Sequence, residues 1–393
     1  MTASHRLAAA VDEHLRALDP ATLPGVIAGV TSLDRTVHIG ATGVRRAGTD
    51  TALTVDTVVG LYSTSKAVTA TAALQLVDDG LLDLDAPAAV HLPEIGEIMV
   101  VDGFDDGVPR LRPPRTAITM RHLLTHTSGF GYHSFDATLT RAIAALGLPD
   151  ITTNQRPALR LPLLFDPGTR WLYGAGVDWA GLIVEAITGR RLGAVFGERI
   201  FAPLGMCDTG FERSAEQRAR SSSVHLRRLD GSVKALPDAP GPDAPAQHMG
   251  GHGLFGTVGD YLAFLRLWLR DGLSDTGEQI LSPGTAQAAW PNQLGARAIT
   301  ALPAVDTKST HPIEFFPGTP KGWSLTGMTV QADAPTGRPA GSVGWAGLAN
   351  LYYWADRRNG IAGFWAAQLF PFGDPIARDA ALDFESAVYR ALR

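Results

Sequence analysis

One cysteine, Cys207, stands in 393 residues, so the chain forms no internal disulfide and builds no multi-cysteine metal site. A lone cysteine of this kind is expected as a small buried hydrophobe. Lysine is nearly as scarce: Lys66, Lys234, Lys308 and Lys321 stand against thirty arginines. No basic run occurs, and a net charge of −5 with a pI near 6.1 argues against a nucleic-acid partner. No apolar run approaches membrane-spanning length, so no membrane partner is expected. The segment Met1–Glu13 lacks a long apolar core and carries acids early, which is not a signal-peptide pattern, and the cytoplasm is the expected compartment. No Gly-x-Ser-x-Gly occurs, so the nucleophile elbow of the α/β-hydrolase plan is excluded. Internal repeats and low-complexity linkers are absent too. What remains is a globular composition, 45% hydrophobic and 19% charged, long enough to bury a large core.

The most informative stretch is Val59-Gly60-Leu61-Tyr62-Ser63-Thr64-Ser65-Lys66-Ala67-Val68-Thr69-Ala70. It ends an extended run, Thr54–Leu61, and opens a helix predicted over Thr64–Asp79 and closed by Gly80. Ser63 and Lys66 are three apart and share one face of the first turn. A helix start favours negative charge, and so an alkoxide or oxyanion. A lysine there can take a hydroxyl proton only when neutral, a state that burial favours. Arginine, which this chain uses wherever charge alone suffices, cannot do so. Read alone, the pair also fits a capped helix with a surface lysine, and its companions decide between the two.

Elsewhere the pattern predicts an N-terminal amphipathic helix to about Leu18 and a hairpin of Gly25–Leu33 with Thr36–Gly43. Leu81–Arg115, rich in proline, reads as a long loop. Thr119 caps a short helix, and helical patterns recur at Ala137–Leu146, Arg156–Leu164, Val177–Thr188, Leu192–Ile200 and Val258–Leu269. Met206–Phe211 and Ser223–Ala235 turn to β, and Leu236–His248 reads as loop. Lys321–Gln331, Gly341–Leu348, Asn350–Ala355 and Ile361–Phe370 read as antiparallel strands before a last helix, Ile376–Leu392. Strands at both ends and helices between predict an α+β fold. Its antiparallel sheet is built from N- and C-terminal strands flanked by helices, with a mostly helical second lobe. The lobes divide as 1–80 with 295–393, and 81–294, with the active site between them.

Two other motifs carry less. His122 and His126 are four apart, but no third ligand stands at a recognised spacing, so they are expected to pack and hydrogen-bond, and no metal is expected. Gly251-x-Gly253-x-x-Gly256 matches a dinucleotide fingerprint, but a proline-rich loop precedes it where a strand is needed. Its glycines are expected to let backbone pass close to a cleft, and no cofactor is expected. Phe165–Asp178 places Tyr173 in a tight turn before a helix. A phenol held near a cationic lysine can shuttle protons, although Tyr173 read alone fits a half-buried core tyrosine as well.

Taken together, Leu61–Thr69, Ile118–Gly129, Phe165–Gly189, Phe201–Met206 and Gly250–Leu269 resemble the serine β-lactamase and penicillin-binding-protein superfamily in its class C-like branch. The resemblance spans most of the chain. It implies Ser63 as the acylated nucleophile, with Lys66 and Tyr173 sharing the acid and base roles. It implies Trp345-Ala346-Gly347 as the third motif, lying along the substrate, and an oxyanion hole made by the N–H groups of Ser63 and Leu348. Ala175 and Tyr132 are further expected substrate contacts. Two departures stand out. The family's Tyr-x-Asn is Tyr173-Gly174-Ala175, and Trp345 replaces the lysine of β-lactamases. Both make the pocket less polar, as in the family VIII carboxylesterases and related acyltransferases.

The implied activity is a serine hydrolase that acts on small-molecule esters through an acyl-enzyme on Ser63. Transfer of the acyl group to an alcohol or amine is the nearest alternative. A D-amino-acid peptidase or amidase comes next, and a non-catalytic binding module last. The sequence leaves the oligomeric state open.

Overall fold

The computed structural model describes residues 2–236 and 244–393. Seven strands form the main sheet: β1 (Gly25–Ser32), β2 (Thr36–Gly43), β3 (Lys321–Trp323), β4 (Met328–Val330), β5 (Val343–Gly347), β6 (Leu351–Asp356) and β7 (Ile361–Ala366). Their order is β2-β1-β7-β6-β5-β4-β3, and every neighbouring pair is antiparallel. The N-terminal hairpin therefore joins the C-terminal meander through β1 and β7, in register from Ile27 opposite Ala366 to Ser32 opposite Ile361. This is the predicted α+β sheet. The turn at Asn359-Gly360 joins β6 to β7 with Gly360 at φ 66°, a conformation that favours glycine.

Two helices cover one face, α1 (Ala3–Ala17) and the C-terminal Pro375–Leu392, which bury Leu7, Val11, Phe384 and Val388 against Val26, Val30, Trp354 and Trp365. Thr2 and Asp374 cap them through their side chains. The other face packs on the helix Val258–Leu269, which sits on β1 and β7 although its place in the sequence is with the helical middle, while α2 (Ser65–Asp78) packs on the helix Gly176–Thr188. α2 is buried all round from Ser65 to Leu76, so it carries no polar stripe. Such a helix is held by its surroundings, and Lys66 on its first turn is only 5% exposed.

Several expectations need correction. Only Val59–Gly60 of the run Thr54–Leu61 is a strand. The presumed loop Leu81–Arg115 contains a hairpin, Val100–Asp105 with Val108–Arg112, turning at Asp106-Gly107, both with positive φ. Arg156–Leu164 is one short 3₁₀ turn, Arg156–Leu159, because Pro157 and Pro162 stop it growing. Lys321–Gln331 breaks into β3 and β4, where the Ser324 side chain accepts from the N–H groups of Thr326 and Gly327. Met206–Phe211 is turn, whereas Ser223–Ala235 holds two short strands. The seven-residue helix Pro283–Ala289 was not foreseen. Cys207 is exposed, because it lies in the turn after Gly205 ends a helix. Most of Leu236–His248 lies outside the described residues. Among the described residues, no helix is long and apolar enough to cross a membrane.

Candidate active site

The nucleophile segment is pinned on each side. Gly60 exchanges two hydrogen bonds with the Gln368 side chain, at 3.0 and 2.8 Å. Leu61 N–H donates to Leu254 O at 2.8 Å, and the Tyr261 hydroxyl donates to Thr64 O at 2.9 Å. Tyr62 is forced to φ 47°, the left-handed region that side chains avoid, within a 3₁₀ turn that leads into α2. Gly347 packs on the same turn. A Cβ there would lie 2.9 Å from Leu61 O, so this glycine admits the nucleophile segment against β5.

Ser63 Oγ and Lys66 Nζ are 3.1 Å apart. Lys66 Nζ also donates to Tyr132 Oη at 3.1 Å and to Gly251 O at 2.7 Å. Tyr173 meets the same ammonium with its ring, whose centre lies 4.9 Å from Nζ. The Tyr173 hydroxyl is buried and has no hydrogen-bond partner among the described residues. The ring packs at 4.6 Å on His126 and 4.9 Å on Trp345, with Trp323 close behind. Burial, helped by the Lys66 charge, pushes the His126 pKa well below the usual histidine value. Its Nδ1 accepts the Gly174 N–H at 3.3 Å, so the ring proton is on Nε2. His122 Nδ1 accepts the Thr119 N–H in a capping box.

Beneath Lys66 lies a residue that sequence reasoning missed. Asp178, in the first turn of the helix Gly176–Thr188, has a fully buried side chain. It accepts the Gly251 N–H at 2.8 Å and the Tyr132 O–H at 3.3 Å, and His252 Nδ1 stands 3.4 Å away. His252 Nε2 meets Asn154 Oδ1 at 2.9 Å. Burial raises the Asp178 pKa, but His252, Lys66 and the Gly251 N–H outweigh it and hold the carboxyl below its usual value. Burial, together with that negative charge and with Tyr173, pushes the Tyr132 phenol well up, so it keeps its proton. An acid within the apolar opening of a helix, Gly176-Val177-Asp178-Trp179-Ala180-Gly181-Leu182, was the available signal.

A cavity of about 310 Å³ opens over Ser63. Tyr132, Tyr173, Trp345, Ala346, Gly347 and Leu348 all line it. Ala175 does not, and this expectation is corrected. The preceding Gly174 is wedged so tightly that a Cβ would come within 2.2 Å of Phe130 O, and the chain then turns inward and buries Ala175 completely. The remaining walls combine apolar Phe135, Leu254, Phe255 and Phe372 with a polar stretch of His133, Asp150, Asn154 and His252, and among the described residues no arginine lines them. Arg112, from the Leu81–Arg115 segment, is committed to Asp166 through two bonds of 2.8 Å.

An activated serine at a helix start, beside a lysine and a phenol, belongs to enzymes that pass an acyl group through a covalent intermediate. The chain belongs to the Beta-lactamase family, whose profile matches residues 11–387. It is 32% identical to the lovastatin esterase of Penicillium rubens, over 95% of this chain and 96% of that one. It is 34% identical to a monacolin J acid methylbutanoyltransferase of Aspergillus terreus, over 86% and 83% of the two chains. The fold matches unliganded simvastatin synthase from Aspergillus terreus with a TM-score of 0.83 at 28% identity, covering 99% of this chain and 98% of that one. This protein is therefore an enzyme of the serine-hydrolase type, in the esterase and acyltransferase branch of that family.

Proposed function

We propose that the protein cleaves uncharged carboxylic esters through an acyl-enzyme on Ser63. The observation that carries this reading is the 3.1 Å contact of Lys66 Nζ with Ser63 Oγ on the floor of an apolar cavity. Lys66 takes the hydroxyl proton as Oγ bonds the ester carbon, and the N–H groups of Ser63 and Leu348 receive the oxyanion. The ester C–O bond then breaks, and the leaving alkoxide takes a proton from the Tyr173 hydroxyl, which Lys66 restores. Deacylation runs the same steps in reverse with water or an alcohol as acceptor. The free, buried hydroxyl of Tyr173 at the cavity wall supports its role.

Acyl transfer to an alcohol is favoured as a second activity by the relatives named as acyltransferases. A short branched acyl group, such as the methylbutanoyl of one of those names, suits walls of this kind. The cavity draws residues from 1–80 and 295–393 and from 81–294, in keeping with a site between two lobes, although the helix Val258–Leu269 packs on the sheet and so goes with the first lobe. The test is intact-protein mass spectrometry after mixing with esters, amides and β-lactams, followed by peptide mapping. An acyl adduct on Ser63 from esters, lost in Ser63→Ala together with turnover, is the expected result. Turnover that survives Ser63→Ala overturns the assignment. Faster product formation with an added alcohol than in water alone marks the transferase.

A further inference from the structure

The glycine-rich segment Gly250-Gly251-His252-Gly253 matched a nucleotide motif without its strand, and the acylation chemistry does not by itself explain it. Its backbone wraps the Asp178 carboxylate. A Cβ on Gly251 would fall 2.4 Å from Asp178 Oδ2, so only glycine lets the N–H of residue 251 reach Oδ1 at 2.8 Å. The same residue turns its carbonyl to Lys66 Nζ at 2.7 Å. Asp178 thus touches two of the three groups that surround the Lys66 nitrogen, Gly251 and Tyr132.

Donor and acceptor counting gives this a consequence. A carboxylate only accepts, so the single Tyr132 proton goes to Asp178 and the Tyr132 oxygen must accept from Lys66. The Gly251 carbonyl also only accepts. A neutral amine has two N–H bonds and one lone pair. With two of its three neighbours able only to accept, the lone pair has one place to point, the Ser63 hydroxyl at 3.1 Å.

We propose that Asp178 is a positioning residue: by fixing Tyr132 and Gly251 as acceptors, it aims the Lys66 lone pair at the nucleophile. The proposal rests on the Ser63–Lys66 reading above. An isosteric asparagine breaks the arrangement. Its amide oxygen keeps the Gly251 N–H, which leaves the NH₂ facing Tyr132. The phenol then receives a proton and turns its own toward Lys66, so the lone pair is drawn away from Ser63.

The experiment compares wild type, Asp178→Asn, Tyr132→Phe and the double variant on p-nitrophenyl butyrate, with Ser63 acylation followed by mass in each. The expected result is that each single change lowers kcat by about tenfold or more with KM within about twofold, and that the double variant is no worse than the poorer single. Losses that multiply, a kcat unchanged in Asp178→Asn, or a change confined to KM overturn the proposal. Should Asp178→Asn fail to fold, Tyr132→Phe decides alone: lowered kcat at constant KM supports the proposal and wild-type kcat overturns it. Wild type that forms no adduct on Ser63 defeats the reading of the nucleophile instead, so the two failures are distinct.

Discussion

Tyr132 and Tyr173 flank the same ammonium and meet it differently. On the Tyr132 side the wall is polar and fully paired: the phenol accepts from Lys66, donates to Asp178, and that carboxylate is backed by His252 and Asn154. On the Tyr173 side the wall is aromatic, buried and unpaired. The ring faces Nζ at 4.9 Å, His126, Trp323 and Trp345 pack around it, and the hydroxyl is left without a protein partner. A buried hydroxyl without a partner costs roughly 1–3 kcal/mol unless something in the cavity completes it. A committed phenol orients and a free one can exchange its proton with substrate. The comparison assigns scaffolding to the first wall and chemistry to the second.

The lysine between the walls gives the largest effect. Lys66→Arg keeps the charge and both walls' electrostatics but cannot give up its proton. Turnover of a p-nitrophenyl ester should fall by about 10³-fold or more, close to the loss for Lys66→Ala. An arginine variant within tenfold of wild type makes Lys66 an electrostatic helper only.

Tyr173→Phe sets the two walls against each other. It should lower kcat by about 10²–10⁴-fold, the range for a general acid–base, whereas Tyr132→Phe should cost clearly less. The same assay on both proteins checks the order. If the losses are reversed, the polar Tyr132 wall carries the proton and the aromatic Tyr173 wall is packing.

How far these assignments were legible in the sequence follows from the separation of the groups. Ser63 and Lys66 share one helical turn, so spacing alone paired them. Tyr173 came from a turn motif and Trp345 from the family pattern. Asp178 grips Gly251 seventy-three residues away, and neither spacing nor periodicity reports such a contact. The glycines around residue 251 were visible, but the reason for them, a carboxylate pressed on the backbone, exists only in three dimensions. The main-sheet strands were legible because they are apolar and separated by turn residues. The hairpin inside Leu81–Arg115 was not, because Pro109 and exposed charges hid it, although its Asp106-Gly107 turn was a usable signal.

The described residues that line the cavity include no arginine or lysine to pair with a carboxylate, and that predicts selectivity. A carboxylate entering this cavity loses hydration and meets no arginine. Trp345 and its aromatic neighbours instead offer surface to an apolar acyl or alcohol group. The kcat/KM for a p-nitrophenyl acyl ester should exceed that for a chromogenic cephalosporin, scored at the lactam bond, by about 10²-fold, the equivalent of roughly 3 kcal/mol of unrecovered solvation. A cephalosporin that matches the ester overturns the reading of Trp345 as a departure toward a less polar site.

The smallest effect separates the walls by stability rather than rate. Burial, with the Lys66 charge added, holds His126 in the aromatic wall far below the usual histidine value. Burial also lowers His14 and His248 to about 4, and His122 and His225 less far. Unfolded, each binds a proton near the ordinary histidine value of 6.5. Below that pH the unfolded chain holds more protons than the folded one, so stability present above 6.5 declines as pH falls toward 4. His126→Asn should flatten this decline. Asparagine tolerates the φ of 56° at this position, and its side-chain oxygen can still receive the Gly174 N–H. It loses ring packing on Tyr173 and Trp323, so the variant starts less stable. Its stability should then fall less steeply with pH, by up to about 1.4 kcal/mol per pH unit, the most that one proton can contribute. Urea unfolding of wild type and variant at pH 7.5, 6 and 5 measures the two slopes. Equal slopes would show that His126 takes no part in the acid sensitivity, and the aromatic wall would then owe its stability to packing alone.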